Sequence, residues 1–179
     1  KALGASGSVE VSLGAAAGGS GLVGFEAGQR HTTSRLLDGE YPKVTSIFPT
    51  SVDTVDVVDT QELIDAVRRV ALVAERNTPL RIVINDDSIS LSAATGDQAQ
   101  ASEAIEASVT DHVEGDPTIT AAGFNPNYLS DALGALDTPY VHFSFTAPGK
   151  PCLVAGLNEI DGEIEQDYKH VIMLMRLPN

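Results

Sequence analysis

Asp59-Thr60-Gln61-Glu62-Leu63-Ile64-Asp65-Ala66-Val67-Arg68-Arg69-Val70-Ala71 is the stretch that decides the fold class. Asp59 is an N-cap residue type and Glu62 stands three positions on, the pattern of a capping box. Leu63, Ile64, Val67, Val70 and Ala71 recur at helical spacing and give one apolar face. A helix is therefore expected over 59–76, ending near Glu75 to Asn77 because Pro79 disfavours helical backbone before it. Around it the pattern changes to strands. One is expected over 53–58. Three follow the helix: Arg81–Ile84, Ser88–Ser92 beyond a turn at Asp86-Asp87, and a third near Ser102 to Val109.

The same order recurs downstream. A strand over 117–123 leads to Asn125 as N-cap and Pro126 at the first helical position. Leu129, Leu133 and Leu136 form the stripe of a helix over 125–137, which stops before Pro139. Tyr140-Val141-His142-Phe143-Ser144-Phe145 alternates as a half-buried antiparallel strand does. Cys152–Val154 and Tyr168 to Leu177 complete three strands. One strand–helix–three-strand unit is thus used twice. Two such units are expected to pair edge to edge into a continuous antiparallel sheet with both helices on one face, an α+β layer.

The N-terminus reads as a third, incomplete copy. Ala2-Leu3-Gly4-Ala5 repeats Ala132-Leu133-Gly134-Ala135, and each precedes an alternating strand. Lys1 is then expected to lie inside a helix whose beginning is missing. Strands follow near 8–14, 21–26 and 30–37, separated first by the Gly/Ala/Ser-rich loop Gly14–Gly21. Leu37-Asp38-Gly39-Glu40-Tyr41-Pro42 through Pro49-Thr50 reads as a linker, with turn chemistry at Asp38-Gly39. Residues 1–50 are expected to be the closing part of one domain plus a linker, and residues 51–179 a whole domain.

Composition narrows the function by exclusion. The 179 residues carry a formal net charge of -14, which argues against a surface that grips phosphates everywhere but not against a single DNA-facing patch. The lone cysteine, Cys152, allows no internal disulfide and fits a reducing cytosol. It reads as a small buried hydrophobe, and the scattered histidines have no zinc-ligand spacing. No apolar run reaches the ~18 residues of a membrane span, and Lys1-Ala2-Leu3-Gly4 does not read as a signal peptide. Gly19-Ser20-Gly21-Leu22-Val23-Gly24 matches a dinucleotide fingerprint as a string, but it precedes a strand rather than a helix, so it reads as a hairpin loop. The acidic run Asn158–Asp167 lacks calcium-loop spacing and reads as solvated. No nucleophile elbow is present. Nothing calls for a cofactor or a metal, and a non-enzymatic binding protein is expected.

Several motifs, in order, resemble one family. Arg35-Leu36-Leu37-Asp38-Gly39-Glu40-Tyr41-Pro42, Glu62 to Val73, Gly123-Phe124-Asn125-Pro126-Asn127-Tyr128-Leu129 and Met173-Leu174-Met175-Arg176-Leu177 together resemble the β subunit of bacterial DNA polymerase III, the sliding-clamp family. The resemblance spans nearly the whole chain. The Leu-Pro-Asn ending and the Gly/Ala-rich loops suggest a high-GC Gram-positive source. The resemblance implies a DNA-clamp fold in which residues 1–50 close the middle domain and 51–179 form the third. It implies a cytoplasmic, non-catalytic processivity factor, a homodimer when full length, that encircles duplex DNA without reading its sequence. Its partners would be DNA polymerase III subunits, the clamp loader, and other polymerases and repair proteins, all docking through a short peptide motif.

Carried over position by position, the resemblance implies a peptide site built from Pro42, Ser46, Ile47, Asn125, Tyr128, Pro151, Val171, Met173, Leu174, Met175, Arg176 and Leu177. It implies a ring interface at Leu72 and Val73, and DNA-facing cations at Arg68 and Arg69, with Arg76 beside them. The chain departs from the family pattern at Ser46, where a basic residue is common, and at Leu174, where proline is common. Pro178-Asn179 extends the usual end. The residues themselves leave other readings open. Met173 and Met175 fit any half-buried strand, Tyr128 fits helix packing, and the arginines fit a solvated helix face. A diverged clamp-like adaptor that binds peptides without forming a ring fits the same residues.

Overall fold

The structure is a computed structural model that describes residues 7–14, 21–74, 78–95, 99–111 and 119–177. The Ala2–Ala5 repeat, most of the Gly14–Gly21 loop including Gly19-Ser20, the expected helix end at Glu75–Asn77 and Pro178-Asn179 lie outside the described residues. The chain divides into two compact units, Lys1–Lys43 and Val44–Asn179. Residues 44–50, which in sequence group with the linker, belong to the second unit.

In the first unit, β1 (Glu10–Gly14), β2 (Leu22–Ala27) and β3 (Arg30–Arg35) form a three-stranded antiparallel sheet in chain order. Val11 pairs with Phe25 and Leu13 with Val23, so one face is apolar, while Glu10, Glu26 and His31 share the other. Beyond β3, Gly39 sits at φ +120°, a backbone region that a side chain disfavours, as the Asp38-Gly39 turn requires.

The second unit holds β4 (Thr54–Asp59), α1 (Thr60–Ala71), β5 (Leu80–Ile84), β6 (Ser88–Thr95), β7 (Ala99–Glu106), β8 (Ser108–Asp111), β9 (Ala121–Phe124), α2 (Pro126–Leu133), β10 (Tyr140–Phe145), β11 (Cys152–Leu157) and β12 (Lys169–Ile172). Both helices start where their caps predict. Asp59 accepts the Glu62 amide at 2.8 Å, and Asn125 accepts from Asn127 and Tyr128 at 3.0 and 3.3 Å. Both are shorter than expected for one reason: their last turns tighten into i→i−3 bonds. These run from Ala74 to Ala71 after α1 and from Leu136 to Leu133 after α2.

The expectation of one continuous sheet needs correction. The α+β repeat is present, but its strands form two antiparallel sheets, β12-β11-β10-β4-β8 and β7-β6-β5-β9. The leading strand of each repeat is exchanged. Asp59, the last residue of β4, pairs with Tyr140, and Phe124, the last of β9, pairs with Leu80. Flanking bonds from Thr60 N–H to the Pro139 carbonyl (2.9 Å) and from Ile84 N–H to the Thr120 carbonyl (2.9 Å) lengthen these pairings.

The third strand of each repeat also breaks. The run expected over 102–109 splits at Ala107: β7 pairs with β6 only as far as Glu106, where β6 begins, and β8 crosses to β4. The run expected over 168–177 splits likewise. β12 stops at Ile172, and Met175 crosses to bridge Gly123 in β9, its N–H meeting the Gly123 carbonyl at 2.8 Å. Each repeat therefore returns to its own leading strand and ties one sheet to the other.

Both helices and both sheets feed one core. From α1 come Leu63, Ala66, Val67 and Val70; from α2 come Leu129, Ala132 and Leu133. Ile64, expected on the apolar stripe, is only half-buried. Phe124 of β9 sits edge-on to Phe143 and Phe145 of β10, at 5.9 and 6.4 Å between ring centres, and so joins the two sheets by side chains as well. β10 is buried more completely than a half-buried strand, because it is the central strand of the five and even Ser144 is covered. Replacing Phe124 by Ala removes the one ring common to both aromatic contacts. It is expected to lower unfolding free energy by about 3–5 kcal/mol, measured by urea denaturation followed by circular dichroism.

Candidate functional site

The C-terminal segment runs along two sheet edges in turn, and its alternation sorts the side chains. Ile172 is buried and Leu174 packs against the core, whereas Val171 and Met173 face outward, Met173 with 62% exposure. The crossing from β11 to β9 then places open hollows on either stretch of the segment.

The first hollow, about 390 Å³, lies over β12. Val44, Ile47, Phe48, Val171 and Met173 give it an apolar floor, and Tyr168, Lys169 and His170 line it as well. The Tyr168 hydroxyl and His170 Nδ1 lie 2.8 Å apart. A neighbouring hollow of about 480 Å³ shares Ile47 and Phe48 and adds Ser46, Lys150 and Pro151. The third, about 530 Å³, is lined by Ala122, Gly123, Pro148, Gly149 and Leu174 through Leu177.

The twelve residues expected at a peptide site are thus partitioned. Ile47, Val171 and Met173 share the first hollow, Ser46 and Pro151 line the second, and Leu174, Met175, Arg176 and Leu177 line the third. Asn125 and Tyr128 line none of these three. Asn125 holds the α2 amides, and Tyr128 projects from the first turn at 61% exposure. Pro42 is exposed and belongs to the first unit. Sequence reasoning missed Val44, Phe48, Tyr168, Lys169, His170 and Gly123. Lys169 shares the parity of Val171 and Met173, so period 2 was a usable signal for it. Nothing local marks Gly123 as the partner of Met175.

Leu72 caps α1 and is 85% exposed, a large apolar side chain left in solvent, while Val73 beside it packs on the core. Arg68 extends into solvent next to Asp65 at 3.5 Å. Arg69 is held by Glu103 of β7 through its Nε at 3.0 Å and through a second, very short contact from its Nη2. That hydrogen bond, ahead of the charge attraction, raises the Arg69 pKa and holds Glu103 below the usual carboxylate range. Arg76 lies outside the described residues. The Cys152 thiol is fully buried, and burial, with Asp56 nearby, pushes its pKa well up, which makes it a poor nucleophile. Among the described residues no set of His, Cys, Asp and Glu is placed to hold a metal ion, and no helix is long and apolar enough to cross a membrane.

Residues 45–176 match the family model described as DNA polymerase III beta subunit, C-terminal domain. The chain belongs to the DNA polymerase III beta subunit family. Among its relatives, the beta sliding clamp of Streptomyces coelicolor is 43% identical over 177 residues, 99% of this chain and 46% of that protein. The beta sliding clamp of Micrococcus luteus is 53% identical over 105 residues, 59% of this chain and 33% of that protein. Both sources are high-GC actinobacteria, in line with the Gly/Ala-rich loops. The crystal structure of a sliding clamp (DNA polymerase III subunit beta) from Pseudomonas aeruginosa bound to griselimycin superposes with a TM-score of 0.71 at 26% identity, covering 87% of this chain and 39% of that one. The chain spans about half the length of the curated relatives it matches.

A Cβ at Gly123 would lie 2.7 Å from the Met175 carbonyl oxygen and 3.0 Å from Leu177 Cδ2, too close for the tail to stay. Gly123→Ala is expected to lift the tail from β9. Amide hydrogen exchange should then show faster exchange at Met175, with a stability loss of about 1–3 kcal/mol, and an unchanged Met175 rate would count against this account.

Proposed function

We propose that this chain is the C-terminal part of a DNA sliding clamp, a non-catalytic processivity factor that tethers the replicative polymerase to duplex DNA. In this reading residues 1–50 close the middle domain and residues 51–179 form the third domain. Leu72 and Val73 belong to the ring interface of a full-length homodimer, and Arg68 faces DNA loosely, because a clamp must slide without reading bases. Arg69 contributes less there, since Glu103 already neutralises it.

The hollows along the C-terminal segment are proposed as one side of the docking site for partner peptides from polymerase subunits, the clamp loader and repair proteins. The observation that carries this reading is the apolar hollow in which Ile47, Val171 and Met173 meet. An exposed methionine over a branched aliphatic floor suits apolar anchors from many partners, because the thioether side chain repacks at low cost. The high exposure of Leu72 favours a ring-forming clamp over a solitary adaptor, since an apolar side chain at a helix end is suited to burial against a second copy.

Fluorescence anisotropy tests the docking reading. A labelled peptide with a Gln-x-x-Leu-Phe motif is titrated with the chain, beside a scrambled peptide. Motif-dependent binding is expected, weakened about fivefold or more by Met173→Ala, with the circular dichroism spectrum unchanged. Equal binding of the scrambled peptide, or full affinity in Met173→Ala, would remove the site from this hollow.

A further inference from the structure

The charges around the hollows run against the rest of the molecule. The chain carries -14 overall, with 25 acidic residues against 11 lysines and arginines. Yet among the described residues the side chains lining the three hollows include Lys150, Lys169 and Arg176 and only one carboxylate, Asp53. Among the described residues, none of these three cations has a carboxylate within ion-pair distance, whereas Arg68 and Arg69 on α1 are both paired. Lys169 is also held in place. Its Nζ donates to Gln166 Oε1 at 2.6 Å, and Gln166 Nε2 donates to the Ile164 carbonyl at 2.9 Å. A neutral amide fixes the ammonium without cancelling its charge. The acidic run that precedes β12 contributes no carboxylate to the lining of any of the three hollows.

We propose that the peptide docking over Ile47, Val171 and Met173 is acidic, with carboxylates flanking its apolar anchors and received by Lys169 and Lys150. This rests on the reading of the hollow as a peptide-docking site. Lys169 shares the hollow with Val171 and Met173, and Lys150 lines the adjoining hollow across Ile47 and Phe48, so a cation stands in each of the two joined hollows. On a strongly acidic protein, such cations do two things. They offset the repulsion that an acidic peptide meets on approach, and they penalise basic segments that share the same apolar anchors. Specificity for carboxylates would thus reside in β12 and the loop before β11, while the apolar floor supplies sequence-tolerant affinity.

The test uses the full chain and three labelled peptides with the same Leu-Phe anchors, flanked on both sides by Asp, by Asn or by Lys. At low ionic strength the Asp peptide is expected to bind about three- to fivefold tighter than the Asn peptide, the size that exposed ion pairs deliver. The ratio should fall towards one in 0.5 M salt, where charges separated by more than about 4–5 Å are screened. Lys169→Gln should shrink the Asp/Asn ratio, and Lys169→Arg should restore it, with thermal melts confirming that both variants fold. Equal affinity for the Asp and Asn peptides would overturn the charge assignment while leaving peptide docking intact. Failure of all three peptides to bind would overturn both. Displacement of the Asp peptide by a single-stranded oligonucleotide at equal concentration would assign the cations to phosphate instead, and would also overturn the proposal.

Discussion

One backbone hydrogen bond, from the Met175 N–H to the Gly123 carbonyl, fixes where the segment after β12 lies. β12 completes one edge of the five-stranded sheet, and three residues later the same segment attaches to the edge of the four-stranded sheet. The crossing is possible because position 123 has no side chain, and a Cβ there would meet the Met175 carbonyl oxygen. At the opposite seam, β7 and β8 make the equivalent crossing around Ala107, whose N–H bonds to the Asp87 carbonyl at 3.0 Å. The two crossings close the seams between sheets that otherwise meet through the Phe124, Phe143 and Phe145 rings.

This constraint also shapes the hollows of the proposed site. A segment that stayed on one sheet would offer one alternating outer face. By changing sheets at Met173–Leu174, it presents Val171 and Met173 over one hollow and Leu174–Leu177 along another. The same few residues therefore carry packing, through Ile172 and Leu174, and exposed apolar surface, through Met173. Side chains whose neighbours are anchored in a core are held at low entropic cost, which suits the proposed docking.

Much of this was legible in the sequence, for reasons that differ by element. The helices and their starts follow from local chemistry at Asp59 and Asn125-Pro126, and the structure places caps there. The twofold repeat was readable because each copy carries its own strand–helix order. Strand partners were not readable. Alternation continues unbroken through Ser102–Val109, and Val171–Met175 is an uninterrupted apolar run, so neither pattern marks where the segment changes partner strand. The exchange of β4 and β9 between repeats was hidden for the same reason. At the candidate site, Ile47, Val171 and Met173 came from family resemblance and meet in one hollow. Lys169, missed, needed only parity, whereas Phe48 and Gly123 needed the tertiary structure.

The chain has two methionines, Met173 and Met175, and both lie on this segment. Labelling the methionine methyl groups with carbon-13 therefore gives an NMR spectrum with two protein signals, one from each hollow. Titration with an unlabelled Leu-Phe-anchored peptide is predicted to shift the Met173 methyl signal in a saturable way, while a scrambled peptide leaves it in place. A peptide that binds by anisotropy yet moves neither methyl signal would contradict the claim that the segment tying the sheets together is also the docking surface.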